Sequence, residues 1–184
     1  MNDFGFTPLT TERLTLRRLA AADLQPFLAY RNDPLVARYQ SWVTWSEEEA
    51  WHLFAVQESL LPGRPGHWFQ VAVELRETGE LVGDCAFCVE PEDPSRAEIG
   101  FTFARAFQKR GYAFESVSAL LPYFFSTLGL HRLIARTDSE NHPAHALLER
   151  LGFRREGTER VWFKGAWGGE DCYVLDRAPV PTAN

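Results

Sequence analysis

The stretch from Arg96 to Leu128 constrains this chain more than any other part of it. Arg96–Ala104 alternates, with Ile99, Phe101 and Phe103 on one side, and this predicts a strand with one buried face. Gly111–Leu128 carries apolar residues at 113, 117, 120, 121, 124, 125 and 128, a helical spacing, and Gly129 stands where a C-terminal cap belongs. Between strand and helix lies Gln108-Lys109-Arg110-Gly111-Tyr112-Ala113. A helix start leaves backbone N–H groups without intrahelical partners and carries the positive end of the helix dipole. A strand, a short loop and such a start therefore make a cradle for an anion. Glycine at 111 reaches backbone angles closed to other residues and lets a ligand approach; Ala113 is small, and Lys109 and Arg110 add positive charge. Taken alone, a glycine at a loop–helix junction is more often plain turn chemistry. Pro122 falls inside the helix and predicts a kink or a tightened turn, at about 3 kcal/mol unless the fold absorbs it.

The remaining elements follow from pattern. Glu12–Leu19 reads as a strand with Leu14, Leu16 and Arg18 on one face, and Ala21–Arg31 as a short helix ended by Asn32-Asp33-Pro34. Ser46-Glu47-Glu48-Glu49 is a capping-box pattern that opens a helix with Trp51, Phe54 and Ala55 on one side. His67–Leu75 and Leu81–Val89 form a hairpin about Glu77–Glu80. His131–Thr137 is a strand, Asn141–Leu151 a helix with Ala144, Leu147, Leu148 and Leu151 aligned, and Phe153–Phe163 and Asp171–Leu175 are the last strands. The order β-α-α-β-β-β-α-β-α-β-β predicts a mixed α/β domain over residues 1–177 with a central, mostly antiparallel sheet; Ala178–Asn184, with two prolines, reads as a loose tail.

Composition narrows the partners. The 184 residues suit one domain. No apolar run approaches the ~18 residues of a membrane span, and Met1-Asn2-Asp3-Phe4 lacks the basic start of a secretory signal, so a cytoplasmic protein without membrane contact is expected. The formal charge of -6 argues against nonspecific nucleic-acid binding and permits a cationic partner such as an amine. Cys85, Cys88 and Cys172 form an odd set; the C-x-x-C lies in a strand without a second ligand pair, so free thiols are expected and no metal site.

The hexapeptide at 108–113 resembles the Q/R-x-x-G-x-G/A signature of GNAT N-acetyltransferases, with Ala113 in the last position. Asn141–Phe153, N-x-x-A-x-x-L-L-E-R-L-G-F, resembles that family's second motif, and Thr11-Glu12-Arg13-Leu14-Thr15-Leu16-Arg17 the T-E-R-L-x-L-R opening of its RimJ/RimL-like, ribosomal-protein alanine acetyltransferase branch. Trp42, Leu81-Val82-Gly83, Glu98-Ile99-Gly100-Phe101 and Glu156-Gly157 fall in the same order, so the resemblance spans residues 9 to 176.

The resemblance implies the GNAT fold: seven strands, the fourth and fifth (Arg96–Ala104 and His131–Thr137) splayed apart, with helices flanking the sheet. It implies acetyl-CoA as co-substrate in the gap. Backbone groups of Phe101 and Phe103 would pair with the pantetheine arm. Gln108, Lys109, Arg110, Gly111, Tyr112 and Ala113 would hold the pyrophosphate, chiefly through their amides, and Asn141 would contact the pantetheine or orient the acetyl end. The reaction implied is direct attack of an amine on the thioester, with a base or a water relay taking the proton and a backbone N–H near Phe101–Phe103 holding the oxyanion. Many family members carry a Tyr seven residues after the Asn, as the acid for the departing thiolate; here that residue is Leu148. The branch often has Ser three residues after the Asn; here it is Ala144, so no acid is assigned.

Glu98 is the leading candidate base, weighed against a salt-bridged strand carboxylate; Asp84 has a similar but lesser claim. Tyr112 reads as packing, and His142 and His145 as surface residues. Trp42, Trp45, Trp51 and Trp68 either line an acceptor pocket or, more often for such residues, pack in the core. Asp171 is structural or substrate-facing. Three functions remain open: acetylation of a protein N-terminal α-amine; acetylation of a small amine such as an amino acid, polyamine or aminoglycoside; and a non-catalytic acyl-CoA sensor. The acceptor is read by loops, expected at Tyr39–Trp45, Leu61–Gly66 and Phe163–Glu170. Both monomer and homodimer are compatible with the resemblance.

Overall fold

The computed structural model describes residues 5–178; of the expected tail all but Ala178 lies outside the described residues, as does the segment Met1–Phe4. The strands are β1 (Leu9–Thr10), β2 (Leu14–Arg18), β3 (Phe69–Leu75), β4 (Leu81–Val89), β5 (Arg96–Phe103), β6 (Arg132–Asp138), β7 (Arg154–Phe163) and β8 (Ala166–Asp176). They form one eight-stranded sheet in the order β1-β2-β3-β4-β5-β6-β8-β7. The expected GNAT architecture holds, but the expected count of seven is corrected to eight. The extra strand is the two-residue β1, which pairs Leu9 with Leu16 at the sheet edge and is too short to carry an alternation.

The helices are α1 (Leu24–Arg31), entered through a 3-10 turn at Ala21–Asp23, α2 (Pro34–Ala37), α3 (Glu47–Ser59), α4 (Tyr112–Pro122) and α5 (His142–Arg150). The Ser46 capping box forms as predicted: Ser46 Oγ accepts from the Glu49 N–H while the Glu49 carboxylate receives the Ser46 N–H. The α-helix expected to run to Leu128 stops at Pro122, the last residue of α4, and a π-helical turn at Tyr123–Thr127 continues the chain, with Leu128 N–H donating to Tyr123 O. One face of the sheet carries the larger core, where Phe69, Phe87, Ile99, Phe103 and Leu133 meet Val117, Leu120, Phe124 and Leu148. The other face is covered by α1 and α3 only over β3 and β4, through Phe27, Tyr30, Phe54 and Ala72. Beyond that cover the sheet surface is open, and the site lies there.

The last strand begins earlier than its pattern showed. Phe163 pairs with Ala166 around Lys164 and Gly165, both left-handed (φ 47° and 83°), which closes a tight hairpin whose twist matches the strands. The loop expected at Phe163–Glu170 is therefore strand. Its glycines and the exposed Trp162 and Trp167 hid the alternation.

Candidate active site

Strand β6 pairs with β5 in parallel over Arg96–Glu98 and Arg132–Ile134 and nowhere else. From Ile99 onward β5 stays with β4, while β6 follows β8 to Asp138, so the two strands part. Ala104 N–H donates to Val82 O at 2.9 Å, and the antiparallel alternation then turns the backbone groups of Ile99, Phe101 and Phe103 toward the gap. One of these groups is already committed: Gln108 Nε2 donates to the Phe103 carbonyl at 2.9 Å. Gln108 thus latches its loop onto β5. The Glu98–Ile134 pairing engages the Ile99 N–H, so it is the Ile99 carbonyl, which nothing in the sequence singled out, that shares the open edge with Phe101.

The start of α4 lies beyond that edge. Gly111 is its N-cap at φ 83°, Lys109 is also left-handed at φ 60°, and the first bond of the helix runs from Glu115 N–H to Gly111 O. The amides of Tyr112, Ala113 and Phe114 precede that bond, as at any helix start. A Cβ on Gly111 would meet Arg13 Nη2 at 3.3 Å. Arg13, another residue missed as functional, braces this loop. Its guanidinium donates to Arg110 O (3.1 Å), lies 4.6 Å from the Tyr112 ring centroid and pairs with Glu115 at 2.6 Å. Burial alone would raise the Glu115 carboxyl, but the hydrogen bonds from Thr11 and Arg13 outweigh it and hold the group below the usual carboxylate range. The Thr11-Glu12-Arg13 opening was visible in the sequence; that it braces the 109–111 loop needed the contact.

Asn141 caps α5, its side chain accepting from Ala144 N–H at 3.4 Å. The loop before it is held by Asp171, which is 1% exposed and gathers Ser139 Oγ, Arg155 and Thr158 Oγ1 at 2.9, 2.6 and 2.7 Å. Asp171 is thus a support for that loop. Leu148 is buried in the larger apolar core, and Ala144 is buried as well.

On the opposite face of the splayed strands lies a cavity of about 440 Å³. Its floor is the alternate face of β4 and β5, where Asp84 stands across from Thr102 and Ala86 from Gly100. Trp42, Trp45 and Trp68 form one wall; Val161, Phe163 and Glu170 of the β7–β8 hairpin form the other. Trp51 is not part of it and is 45% exposed. Of the expected acceptor segments, Tyr39–Trp45 and the hairpin reach the cavity, whereas Leu61–Gly66 does not line it.

Two ion pairs sit in this cavity. Asp84 bonds Arg31 Nη2 and Tyr30 Oη, each at 2.6 Å, with the two ionic side chains only 1% and 5% exposed. The Arg31 guanidinium also lies 4.2 Å from the Trp42 ring and 4.4 Å from Phe27. Burial, together with Asp84, pushes the Tyr30 hydroxyl far up, so it stays a proton donor to that carboxylate. Glu98 pairs with Arg136. Burial raises the Glu98 carboxyl above its ordinary value and Glu170 and Glu90 push the same way, while Arg136 opposes them. Of the two carboxylates, Asp84 is locked between two partners and Glu98 is the more accessible.

Cys85 faces the core beside Ser116, its thiol pushed up to about 12 by burial, while Cys88 falls on the opposite face; the C-x-x-C cannot converge on one ion. No group of His, Cys, Asp and Glu among the described residues is placed to hold a metal. No helix among them is long and apolar enough to cross a membrane.

Comparison with known proteins agrees with this geometry. The family model "Acetyltransferase (GNAT) domain" matches residues 13–154. The N-acetyltransferase p20 of Bacillus licheniformis is 32% identical over 168 residues, 91% of this chain and 93% of the relative. A solved GNAT acetyltransferase of Bacillus anthracis superposes with TM-score 0.80 at 27% identity, covering 92% of this chain and 98% of that one. The [ribosomal protein uS5]-alanine N-acetyltransferase of Escherichia coli is 34% identical over 71 residues, 38% of this chain and 37% of that one. The chain belongs to the GNAT acetyltransferase family and is an N-acetyltransferase, of a family that draws its acetyl group from acetyl-CoA.

Proposed function

We propose that this enzyme transfers the acetyl group of acetyl-CoA to the α-amine of a protein N-terminus, co-substrate and acceptor approaching the β5–β6 gap from opposite sides. The observation that carries the reading is the parting of two strands beside a braced helix start. A diphosphate fits the amides of Lys109–Ala113, where the left-handed Gly111 leaves no side chain in the way. Lys109 and Arg110 add charge, Tyr112 packs under Arg13, and Gln108 fixes the loop to β5. The Ile99 carbonyl, the free edge of Phe101 and the Phe103 N–H suit an extended amide-bearing arm. Asn141 stands at the near end of α5, where it orients the acyl end.

Acetyl-CoA supplies an activated acyl carbon and a thiolate leaving group. Glu98 takes, directly or through water, the proton that an ammonium must lose before its nitrogen bonds to the acyl carbon. A backbone N–H at Phe101 faces the oxyanion that forms, sulfur departs as the carbon–sulfur bond breaks, and the second proton, left on the nitrogen after it bonds to the acyl carbon, passes to solvent water as the amide forms. Leu148 and Ala144 offer it no proton, so it leaves as thiolate.

The segment shared with the uS5-alanine acetyltransferase supports a protein α-amine. A surplus of carboxylates on the cavity wall (Asp84, Glu98, Asp138 and Glu170 against Arg31 and Arg136) favours, as a second reading, a small cationic amine. The test is release of free thiol from acetyl-CoA with a panel of N-terminal peptides, polyamines and aminoglycosides, with products weighed by mass spectrometry. Peptides acetylated at the α-amine are the expected products. CoA binding without thiol release from any acceptor would contradict the reading.

A further inference from the structure

The cradle at the start of α4 carries a charge that opposes its use. Glu115 stands in the first turn, within about one 5.4 Å pitch of the amides of Tyr112–Phe114. Side chains of a helix lean toward its N-terminus, so the carboxylate points back at that start. Burial opposes ionisation there, but the hydrogen bonds from Thr11 and Arg13 keep the group below the usual carboxylate range. It is therefore an anion at neutral pH. A carboxylate in a first turn takes up the positive helix end that a diphosphate would use, and it repels a second anion.

Arg13 is fitted to that carboxylate. Glu115 Oε1 accepts from Thr11 Oγ1 at 2.6 Å and from the Arg13 N–H at 3.0 Å, and Oε2 accepts from Arg13 Nε at 2.7 Å. The turn that presents Arg13 has its own bonds. Thr11 N–H donates to Leu14 O and Leu14 N–H to Thr11 Oγ1, each at 2.9 Å, and Arg76 Nη1 donates to the carbonyls of Thr11 and Glu12 at 2.9 and 3.0 Å. The Arg13 and Glu115 side chains are 43% and 18% exposed. A pair this open to water adds little to stability. Its larger consequence is electrical: with Arg13 in place the first turn is neutral, and Lys109 and Arg110 set the sign of the cradle.

We propose that Arg13 is a positioning residue for the co-substrate: it cancels the charge of Glu115, so that the start of α4 accepts a diphosphate, and through Arg110 O it holds the loop that frames that start. The inference rests on placing the diphosphate of acetyl-CoA there. Arg13 acts through Glu115 and the loop rather than by touching the phosphates. A cation that worked only as a brace would leave Glu115 without influence on affinity. A cation that neutralises makes the cost of losing Arg13 depend on the carboxylate, and the two cases separate in a double variant.

CoA is titrated calorimetrically into the wild type, Arg13→Met, Glu115→Gln and the double variant. Pantetheine, which lacks the diphosphate, is titrated by the NMR shifts of the Phe101–Phe103 amides. Arg13→Met should weaken CoA about tenfold and leave pantetheine nearly unchanged. Glu115→Gln, which keeps an acceptor for Thr11, should bind CoA at least as tightly as the wild type. The double variant should regain most of the loss, and Arg13→Lys, which keeps a cation, should lose less than Arg13→Met. A double variant no tighter than Arg13→Met, or pantetheine weakened as much as CoA, overturns the inference. Were Arg13→Met too unstable to titrate, Glu115→Gln decides alone, because weaker CoA binding there contradicts a repelling carboxylate. Gly111→Val separates this inference from the reading beneath it. CoA lost in Gly111→Val but kept in Arg13→Met leaves the diphosphate at α4 and overturns the role of Arg13. CoA kept in both removes the diphosphate from α4, and the inference with it.

Discussion

The two sides of the β5–β6 gap are made of different material. Facing α4, the site is backbone: the edge of Ile99 and Phe101, the left-handed Lys109 and Gly111, and the first amides of the helix. Facing the cavity, it is side chains drawn from distant parts of the chain: Arg31 from α1, Trp42 and Trp45 from the loop before α3, Gln70 from β3, Asp84 from β4, Glu98 from β5 and Glu170 from β8. Backbone sites bind what every family member shares, because main-chain amides are present whatever the side chains. Side-chain sites can vary by substitution without disturbing the strands beneath, so the proposed function puts selectivity for the acceptor there.

The division can be broken by variants that cross it. The largest expected effect is on chemistry: Glu98→Gln should lower kcat by about 10²–10⁴ while the CoA titration stays unchanged. Its pH dependence has a definite sign. A base works only when ionised, and burial raises the Glu98 carboxyl. The rate should therefore fall with decreasing pH through a midpoint above the ordinary carboxylate value, in addition to the amine's own titration. The Gln variant should keep only the amine's limb; a Gln variant at full rate would move proton transfer to solvent.

Next is Asp84→Asn, which keeps a partner for Tyr30 but leaves the Arg31 charge buried without its counter-ion. A loss of about 3–5 kcal/mol in urea unfolding is expected, with CoA affinity preserved in the folded fraction. Equal damage to CoA binding would mean that the two sides are one unit. Gly111→Val should do the reverse. Its left-handed φ and the nearby Arg13 cost the fold about 1–2 kcal/mol, while CoA affinity drops more than about tenfold. Smallest is Gly100→Ala: stability should hold or gain about 0.4–1 kcal/mol, and only acceptor KM should rise.

The same division explains what was legible in the sequence. The α4 side depends on local order, a strand followed by Q-x-x-G-x-A and an amphipathic helix, so periodicity and one motif placed it. Even there the signal was incomplete: Gln108 turned inward to Phe103, and Arg13 reached the loop from β2's entry, a pairing that spacing does not encode. The cavity side has no local signature. Gln70 reads as an ordinary polar strand residue, and Arg31 as the basic end of a short helix. Their convergence follows only from the register of β3 on β4 and the packing of α1 beneath it. Glu98 was picked out because of its strand, but its pairing with Arg136 required the parallel contact of β5 with β6. The hairpin at 163–166 was missed because two left-handed residues, one of them a lysine, replaced the usual turn pair.

The proposed backbone grip on the co-substrate can be tested residue by residue. Titrating CoA into isotopically labelled protein and following amide resonances by NMR should shift Ile99–Phe103 and Lys109–Phe114 most, with the amides of Arg31, Trp45 and Gln70 nearly still until an acceptor is added. Saturating CoA binding that leaves the Lys109–Phe114 amides unmoved would contradict the assignment of the diphosphate to the start of α4.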